Sequence, residues 1–323
     1  MASSVTHAYF ILDVYERLDL ETKHFLQDYK STLKFAAQGM DPFNFYKVWH
    51  PKKGSRIREF ATYFHDNNTY LYFETLINYI KYNGYGLESE VMAFLYGALS
   101  HYVLDSNIHP FVVYKTGEFD KNDVKTFKYN MKHGELESIL DCYFISLREK
   151  VLPWQMSTSS FILENIHFSK SLEEVVNFTF KETFDINNMT KFYKKSLRHM
   201  KLFFKVFRED RYGFKKKFYQ VVDWVSPRSF RRKTPLSYYY KLDFSLFNLE
   251  HKTWYHPTSR KIKSNTSILD IYTSSVFECV KLIEDVQKYI YKDEGDLKNI
   301  LKNVSYCTGR ETEKHYKVKY FEF

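Results

Sequence analysis

Residues 91–108 read VMAFLYGALSHYVLDSNI, and this stretch decides the fold. As a helix it is apolar on nearly every face, and a helix that is apolar all round lies inside a protein. It nevertheless contains His101 and Asp105, and a buried carboxylate is costly unless it has a partner. We therefore predict a central buried helix whose two polar residues serve a site.

The composition favours an all-α, multi-helix protein. Of the 323 residues 44% are hydrophobic and 19% aromatic, whereas only 10 are glycine and 7 proline, so residues that punctuate turns are scarce. Apolar residues recur at steps of three and four along most of the chain. We predict one all-helical domain over residues 1–323, with loops at 41–54, 110–130 and 226–265 and helices at 8–20, 21–37, 56–65, 69–82, 88–108, 133–150, 171–182, 188–208 and 267–291.

Histidine and acidic residues are paired at helical spacing in two places. His101 and Asp105 are four residues apart, so a helix places them on one face, about 6 Å apart along its axis. His109 extends the row if the helix reaches it, and His133 and Glu137 repeat the spacing. A divalent metal ion satisfies both members of such a pair, and zinc accepts these nitrogen and oxygen ligands. The two pairs together predict a metal site.

Residues of the same types occur earlier in the chain in a specific order. The quoted motifs are Ser4-Val5-Thr6-His7-Ala8-Tyr9-Phe10, Gly39-Met40-Asp41-Pro42, His65 before Asp66-Asn67-Asn68, His101-xxx-Asp105, His109 and His133-xxx-Glu137. In this order the chain resembles the bacterial zinc-dependent phospholipases C, which are related to the S1/P1-type nucleases. The resemblance is good over residues 1–150 and poor beyond. It implies the all-α phospholipase C-like fold, with two to three zinc ions held by residues within 1–150.

The resemblance also implies which residues hold each ion. The ligands of one zinc would be Asp41, His65, His101 and Asp105, and those of a second would be His109, His133 and Glu137. A third would be held by His7, by Asp105 as a bridge and by the N-terminal amine, which removal of Met1 would place on Ala2. Asp41 is also the residue implied to orient the water that attacks phosphorus.

The sequence departs from the secreted relatives in three places. We see no basic and then apolar secretion signal at its start, and no tryptophan there to become a processed N-terminus. Three residues separate Asp105 from His109, where the relatives usually have five.

Cys142, Cys279 and Cys307 are odd in number and widely spaced, which predicts no disulfide framework. We expect a cytoplasmic protein without a membrane-spanning helix.

Positive charge is concentrated in one segment. Of the net +9, residues 191–233 carry fifteen Lys and Arg against three acids, a local balance of +12, which leaves −3 for the rest. Aromatic residues are interleaved with these cations. Basic amphipathic helices lie on anionic membranes, so 191–233 is a candidate for peripheral membrane contact. The alternative is a solvated helix face whose aromatics pack inward, and the wider region 191–265 has no assigned role.

The paired ligands predict a metal-dependent hydrolase, and the resemblance implies a zinc-dependent phosphodiester hydrolase that removes a phospholipid headgroup with metal-activated water. An S1/P1-type nuclease is an alternative, because phosphate contacts and base stacking use basic and aromatic residues. Glu137 favours the phospholipase, since those nucleases have Asp in the corresponding pair, and nucleic acid is therefore the less expected partner. A third hypothesis is a non-catalytic lipid-surface or scaffold protein that keeps the metals for stability.

Overall fold

The described part of the chain is built almost entirely from helices. It comprises residues 3–50, 52–118, 123–129, 132–210, 212–225, 243–314 and 316–322 of a computed structural model. The helices are α1 (Ser4–Tyr15), α2 (Leu20–Leu26), α3 (Lys30–Ala36), α4 (Ser55–Asp66), α5 (Thr69–Tyr82), α6 (Glu90–Thr116), α7 (Lys132–Glu149), α8 (Thr158–Leu163), α9 (Lys170–Phe184), α10 (Met189–Phe203), α11 (Phe214–Val225), α12 (Ile268–Lys292) and α13 (Leu297–Ile300). The prediction of an all-α fold is confirmed.

Helix α6 runs through the centre of the molecule and is buried along nearly its whole length. The Ser89 side chain accepts a hydrogen bond from the backbone N–H of Met92 and so caps its start, and Gly117, with φ of +69°, ends it. Helices α1, α3, α7 and α12 pack around it. One continuous cluster of buried side chains extends from Val5 to Tyr306.

The predicted loop at 110–130 is wrong at its start, because α6 continues through Pro110 to Thr116. A proline inside a helix loses a hydrogen bond and crowds the carbonyl four residues earlier. Tertiary contacts compensate for that cost here. The Phe111 ring lies 5.4 Å from that of Trp254, and Gly309 packs directly against the carbonyl of Ser106. The continuation places His109 on the same helix as Asp105.

Other differences are local. The predicted helix 21–37 is interrupted by a 3₁₀ turn at Gln27–Tyr29, and the predicted 188–208 ends in a π-helical turn at Phe204–Arg208. The predicted loop 226–265 contains a short antiparallel hairpin of β1 (Trp254–His256) and β2 (Ser259–Ser264), while 226–242 lie outside the described residues. Helices α8, α11 and α13 were not predicted. The three cysteines are free.

Candidate metal centre

Asp105 lies at the centre of four imidazole rings. Its Oδ1 is 3.0 Å from Nε2 of His7, and its Oδ2 is 3.2 Å from Nε2 of His101. Nε2 of His65 and Nδ1 of His109 are each 3.7 Å from Oδ2. The carboxylate is fully buried, and neither oxygen has a hydrogen-bond partner within the described ranges. A buried carboxylate in this state requires a cation, and an ion between these rings would supply it.

Backbone carbonyls orient the rings of His65 and His101. Nδ1 of His65 is 2.5 Å from the carbonyl of Ala61, and Nδ1 of His101 is 3.2 Å from that of Ala37. With the proton on Nδ1, each ring donates this bond and keeps Nε2 free of hydrogen on the side that faces the acids. Metal-ligating histidines are held in this way in proteins. The arrangement therefore suits ligation by Nε2 of both residues.

Three groups of potential ligand atoms lie close enough to hold an ion. Within each group the atoms are no more than 4.8 Å apart. The groups are His7 with His101 and Asp105, Asp41 with His65 and His101, and His109 with His133 and Glu137. All eight residues named from the sequence are thus brought together in the described structure. Asp105 and His101 lie between the first two groups, which suits a bridge.

The third group joins helices α6 and α7. Oε1 of Glu137 is 3.0 Å from Nε2 of His133 and 3.4 Å from Nε2 of His109. The shorter spacing between Asp105 and His109 does not keep His109 away, since both lie on α6 four residues apart. The His133 side chain is 34% exposed, whereas that of Asp105 is fully buried. The cluster therefore opens to solvent at His133.

Charge interactions within the cluster oppose the effect of burial. Burial alone would raise the pKa of Asp105, but His101, His109 and His7 outweigh it and hold this pKa well below its usual range. Burial lowers the pKa of His101 to about 4, so this ring is neutral at pH 7 and can ligate a metal through its nitrogen lone pair. Burial would also lower the pKa of His109, but Asp105 and Glu137 raise it to about 9. A metal must therefore displace a proton from His109.

Gly39 makes room for His101. Its φ of +52° is the left-handed conformation that glycine adopts at little cost, and a Cβ there would overlap the His101 ring. The Tyr193 hydroxyl donates a hydrogen bond of 3.1 Å to the Gly39 carbonyl. This turn leads into the 3₁₀ helix Asp41–Phe45, which carries Asp41 to the site. Oδ1 of Asp41 is 3.3 Å from Nε2 of His65.

Tyr306 belongs to the site although the sequence analysis did not identify it. Its carbonyl is 3.0 Å from Nδ1 of His109, and its N–H donates a 2.8 Å hydrogen bond to the carbonyl of His65. Its buried ring has its centroid 5.4 Å from that of His65 and 5.5 Å from that of His101. It acts mainly through backbone atoms, which no side-chain pattern can reveal.

Asp141 is a second residue that the sequence analysis missed. Its Oδ1 accepts hydrogen bonds of 2.8 Å from both the backbone N–H and the hydroxyl of Thr6, next to His7. Ser3, at the N-cap of α1, makes no side-chain cap, so Asp141 takes that role from α7. Nη1 of the buried Arg208 is 3.6 Å from Oδ2 of Asp141. One sequence feature could have identified Asp141: it lies four residues after Glu137, on the same face of α7.

Two other expectations concern the N-terminal amine and the basic segment 191–233. The predicted third ligand group includes the amine of Ala2, and Met1 and Ala2 lie outside the described residues. Of the aromatics in 191–233, Tyr193, Phe203 and Phe204 are buried, so α10 is the ordinary helix with inward aromatics. Those of α11 are different and are treated below. In the described ranges no helix has the length and apolar character needed to cross a bilayer.

One of the comparisons with known proteins gave a match. Searches among curated proteins and among solved structures gave no match. A family model described as zinc dependent phospholipase C matches residues 6–206, which are more than half of the chain and include all eight residues of the cluster. The chain therefore belongs to the zinc-dependent phospholipase C family.

Proposed function

We propose that this protein is a zinc-dependent phosphodiester hydrolase that removes the headgroup of a phospholipid. The observation that carries the proposal is Asp105, whose two buried oxygens lack hydrogen-bond partners within the described ranges and face four imidazoles. Such a carboxylate suits bridging cations better than it suits a hydrogen-bonded core. The family match supports phospholipid as the substrate class.

The eight cluster residues would hold two to three zinc ions. The first two ligand groups share His101, and His109 of the third group lies 3.7 Å from Asp105, so the ions would lie side by side. When bound, zinc in such sites polarises a phosphoryl oxygen and lowers the pKa of water from 15.7 to about 7. The imidazoles and carboxylates supply the mixed nitrogen and oxygen ligands that catalytic zinc uses.

Asp41 is the residue that we propose to orient the attacking water. Its Oδ1 faces His65, while its buried Oδ2 has no hydrogen-bond partner among the described residues. Oδ2 can therefore accept a proton from water and aim its oxygen at phosphorus, in line with the leaving alcohol. The alkoxide leaves on the opposite side of phosphorus and takes up a proton from solvent. The proton accepted by Oδ2 of Asp41 returns to solvent, so one water is consumed for each P–O bond that is broken.

The proposal is tested with the zinc-loaded protein and a soluble chromogenic substrate, p-nitrophenyl phosphocholine. We expect hydrolysis that a chelator abolishes, and a fall in kcat of about 10²-fold or more in Asp41→Asn. Asp185→Asn is the matched control, because the Asp185 carboxylate is exposed, pairs with Lys181 and is in none of the three ligand groups. Zinc-loaded protein that cleaves neither this ester, phosphatidylcholine nor single-stranded DNA would contradict an enzymatic role and favour a non-catalytic one.

The nuclease alternative is separated by the same assay. Release of phosphocholine without release of nucleotides supports the phospholipase, and the reverse result contradicts it. Tyr193 and Phe203 in α10, and Phe204 in the π-helical turn that follows, are buried, so these three rings cannot stack on bases.

A further inference from the structure

Helix α11 turns its apolar stripe toward solvent. Phe214, Phe218, Val221 and Val225 are at steps of four, three and four residues, so they share one face. Their exposed fractions are 71%, 63%, 58% and 65%. Trp224, next to this stripe, is 79% exposed. An amphipathic helix of a globular protein normally buries such a stripe against the core, so this face lacks its usual partner within the described structure.

The opposite side of α11 holds the helix to the protein. Tyr219 is 7% exposed, the one strongly buried aromatic ring of this helix among its described side chains. Nζ of Lys215 donates hydrogen bonds of 2.6 Å to the carbonyl of Lys205 and 2.5 Å to that of Glu209. These bonds cap the end of the π-helical turn before α11. The orientation of the apolar stripe is thus set by anchored residues on the inner side.

The surroundings of the stripe are cationic. Helix α11 contains Lys215, Lys216 and Lys217 against one acid, Asp223, which is a sequence balance of +2. Lys217 is exposed, and so is Lys205 beside the start of the helix. The side chains of Leu202, near the end of α10, and Val206, in the π-helical turn, are exposed as well. Apolar and aromatic residues together with lysines are the composition of helices that lie in a membrane interface.

We propose that α11 docks flat on the surface of an anionic phospholipid membrane, with Phe214, Phe218 and Trp224 inserted below the headgroups. Charge complementarity selects this occupant, since the surrounding lysines attract anionic headgroups and repel a second copy of the same face. The proposal rests on the proposed function for its purpose, because docking would hold the enzyme at its substrate. Helix α11 also lies beyond residues 6–206, so the family match does not assign it a role.

The test is co-sedimentation of the zinc-loaded protein with vesicles of phosphatidylcholine alone or with phosphatidylglycerol. We expect binding to the anionic vesicles, and 0.5 M salt should weaken it. The double variant Phe218→Ser, Trp224→Ser should partition onto these vesicles at least about tenfold more weakly than the wild type. Tyr82→Ser is the matched control, because Tyr82 is 79% exposed on α5 and should not affect binding. Tryptophan fluorescence should shift to shorter wavelength on binding, except in Trp224→Phe.

Hydrolysis of p-nitrophenyl phosphocholine should be unchanged in the α11 variants, so a failure of docking is distinguishable from a failure of catalysis. Equal sedimentation of the wild type and the Phe218→Ser, Trp224→Ser variant would overturn the proposal. A dimer in sedimentation velocity that this double variant dissociates, without binding to vesicles, would also overturn it and assign the face to a second copy.

Discussion

His109 and Tyr306 are 197 positions apart in the chain and are joined by a 3.0 Å hydrogen bond from the imidazole Nδ1 to the backbone carbonyl. The bond ties the segment around Tyr306 to the candidate metal cluster. Ser305 reinforces it, because its hydroxyl donates to Asp66, next to His65, and accepts from the backbone N–H groups of Cys307 and Thr308. The segment 303–312 is therefore a structural support of the site.

Gly309→Ala should disturb this support. Its φ is +61°, which costs a residue with a Cβ about 1–2 kcal/mol, and the added methyl would overlap the Ser106 carbonyl. We expect a lower Tm and weaker zinc binding at His109, measured by thermal unfolding and metal titration. Gly84→Ala is the control, since Gly84 has φ of +66° and nothing within 4 Å of the added Cβ. Equal zinc affinity in the two variants would contradict the role of the segment.

Removal of zinc should lower stability, because bound metal adds to the free energy of unfolding, about 2.7 kcal/mol at a hundredfold excess over Kd. Asp105→Asn should lose most of the zinc and show a Tm that a chelator no longer changes. His251→Asn should keep its zinc and its response to chelator, because His251 is exposed, bonds to the carbonyl of Asn265 and is in none of the three ligand groups. Full zinc content in Asp105→Asn would disprove the role of this carboxylate as a zinc ligand.

The stabilisation by zinc should increase with pH. In chelated protein the pKa of His109 is raised to about 9, above the 6.5 of an unfolded histidine. Its contribution to stability is complete below pH 6.5 and is lost as pH rises through 9. Zinc-bound protein needs the deprotonated ring and escapes this loss. The difference in Tm between zinc-loaded and chelated protein should therefore widen from pH 6.5 to 9, and a constant difference would argue against this linkage.

Asp141→Ala should destabilise the protein and weaken the ligand group at His7. A lost helix cap costs about 1 kcal/mol, and a broken buried ion pair costs about 3–5 kcal/mol. Zinc affinity should fall about 10–100-fold, as for other residues that orient ligands. Ser267→Ala removes the capping box of α12 and should cost about 1 kcal/mol without changing zinc affinity. Urea unfolding and zinc titration of both variants make the comparison.

Much of this protein could be derived from its sequence, because helical periodicity and i, i+4 spacing are local properties. Helix α5 was predicted over 69–82 and observed at Thr69–Tyr82, and the pairs His101 with Asp105 and His133 with Glu137 share helix faces as predicted. The burial of α6 followed from its composition alone. The order of the ligand residues along the chain indicated the family.

Tertiary structure decided what joins distant parts of the chain. Local rules end a helix near Pro110, yet packing by Phe111 and Gly309 carries α6 past it and brings His109 to Glu137. The contribution of Tyr306 is made by backbone atoms, so no residue type announces it. The amphipathic pattern of α11 could not show which way its apolar stripe faces. That direction depends on what packs against the other side, and only the folded chain supplies it.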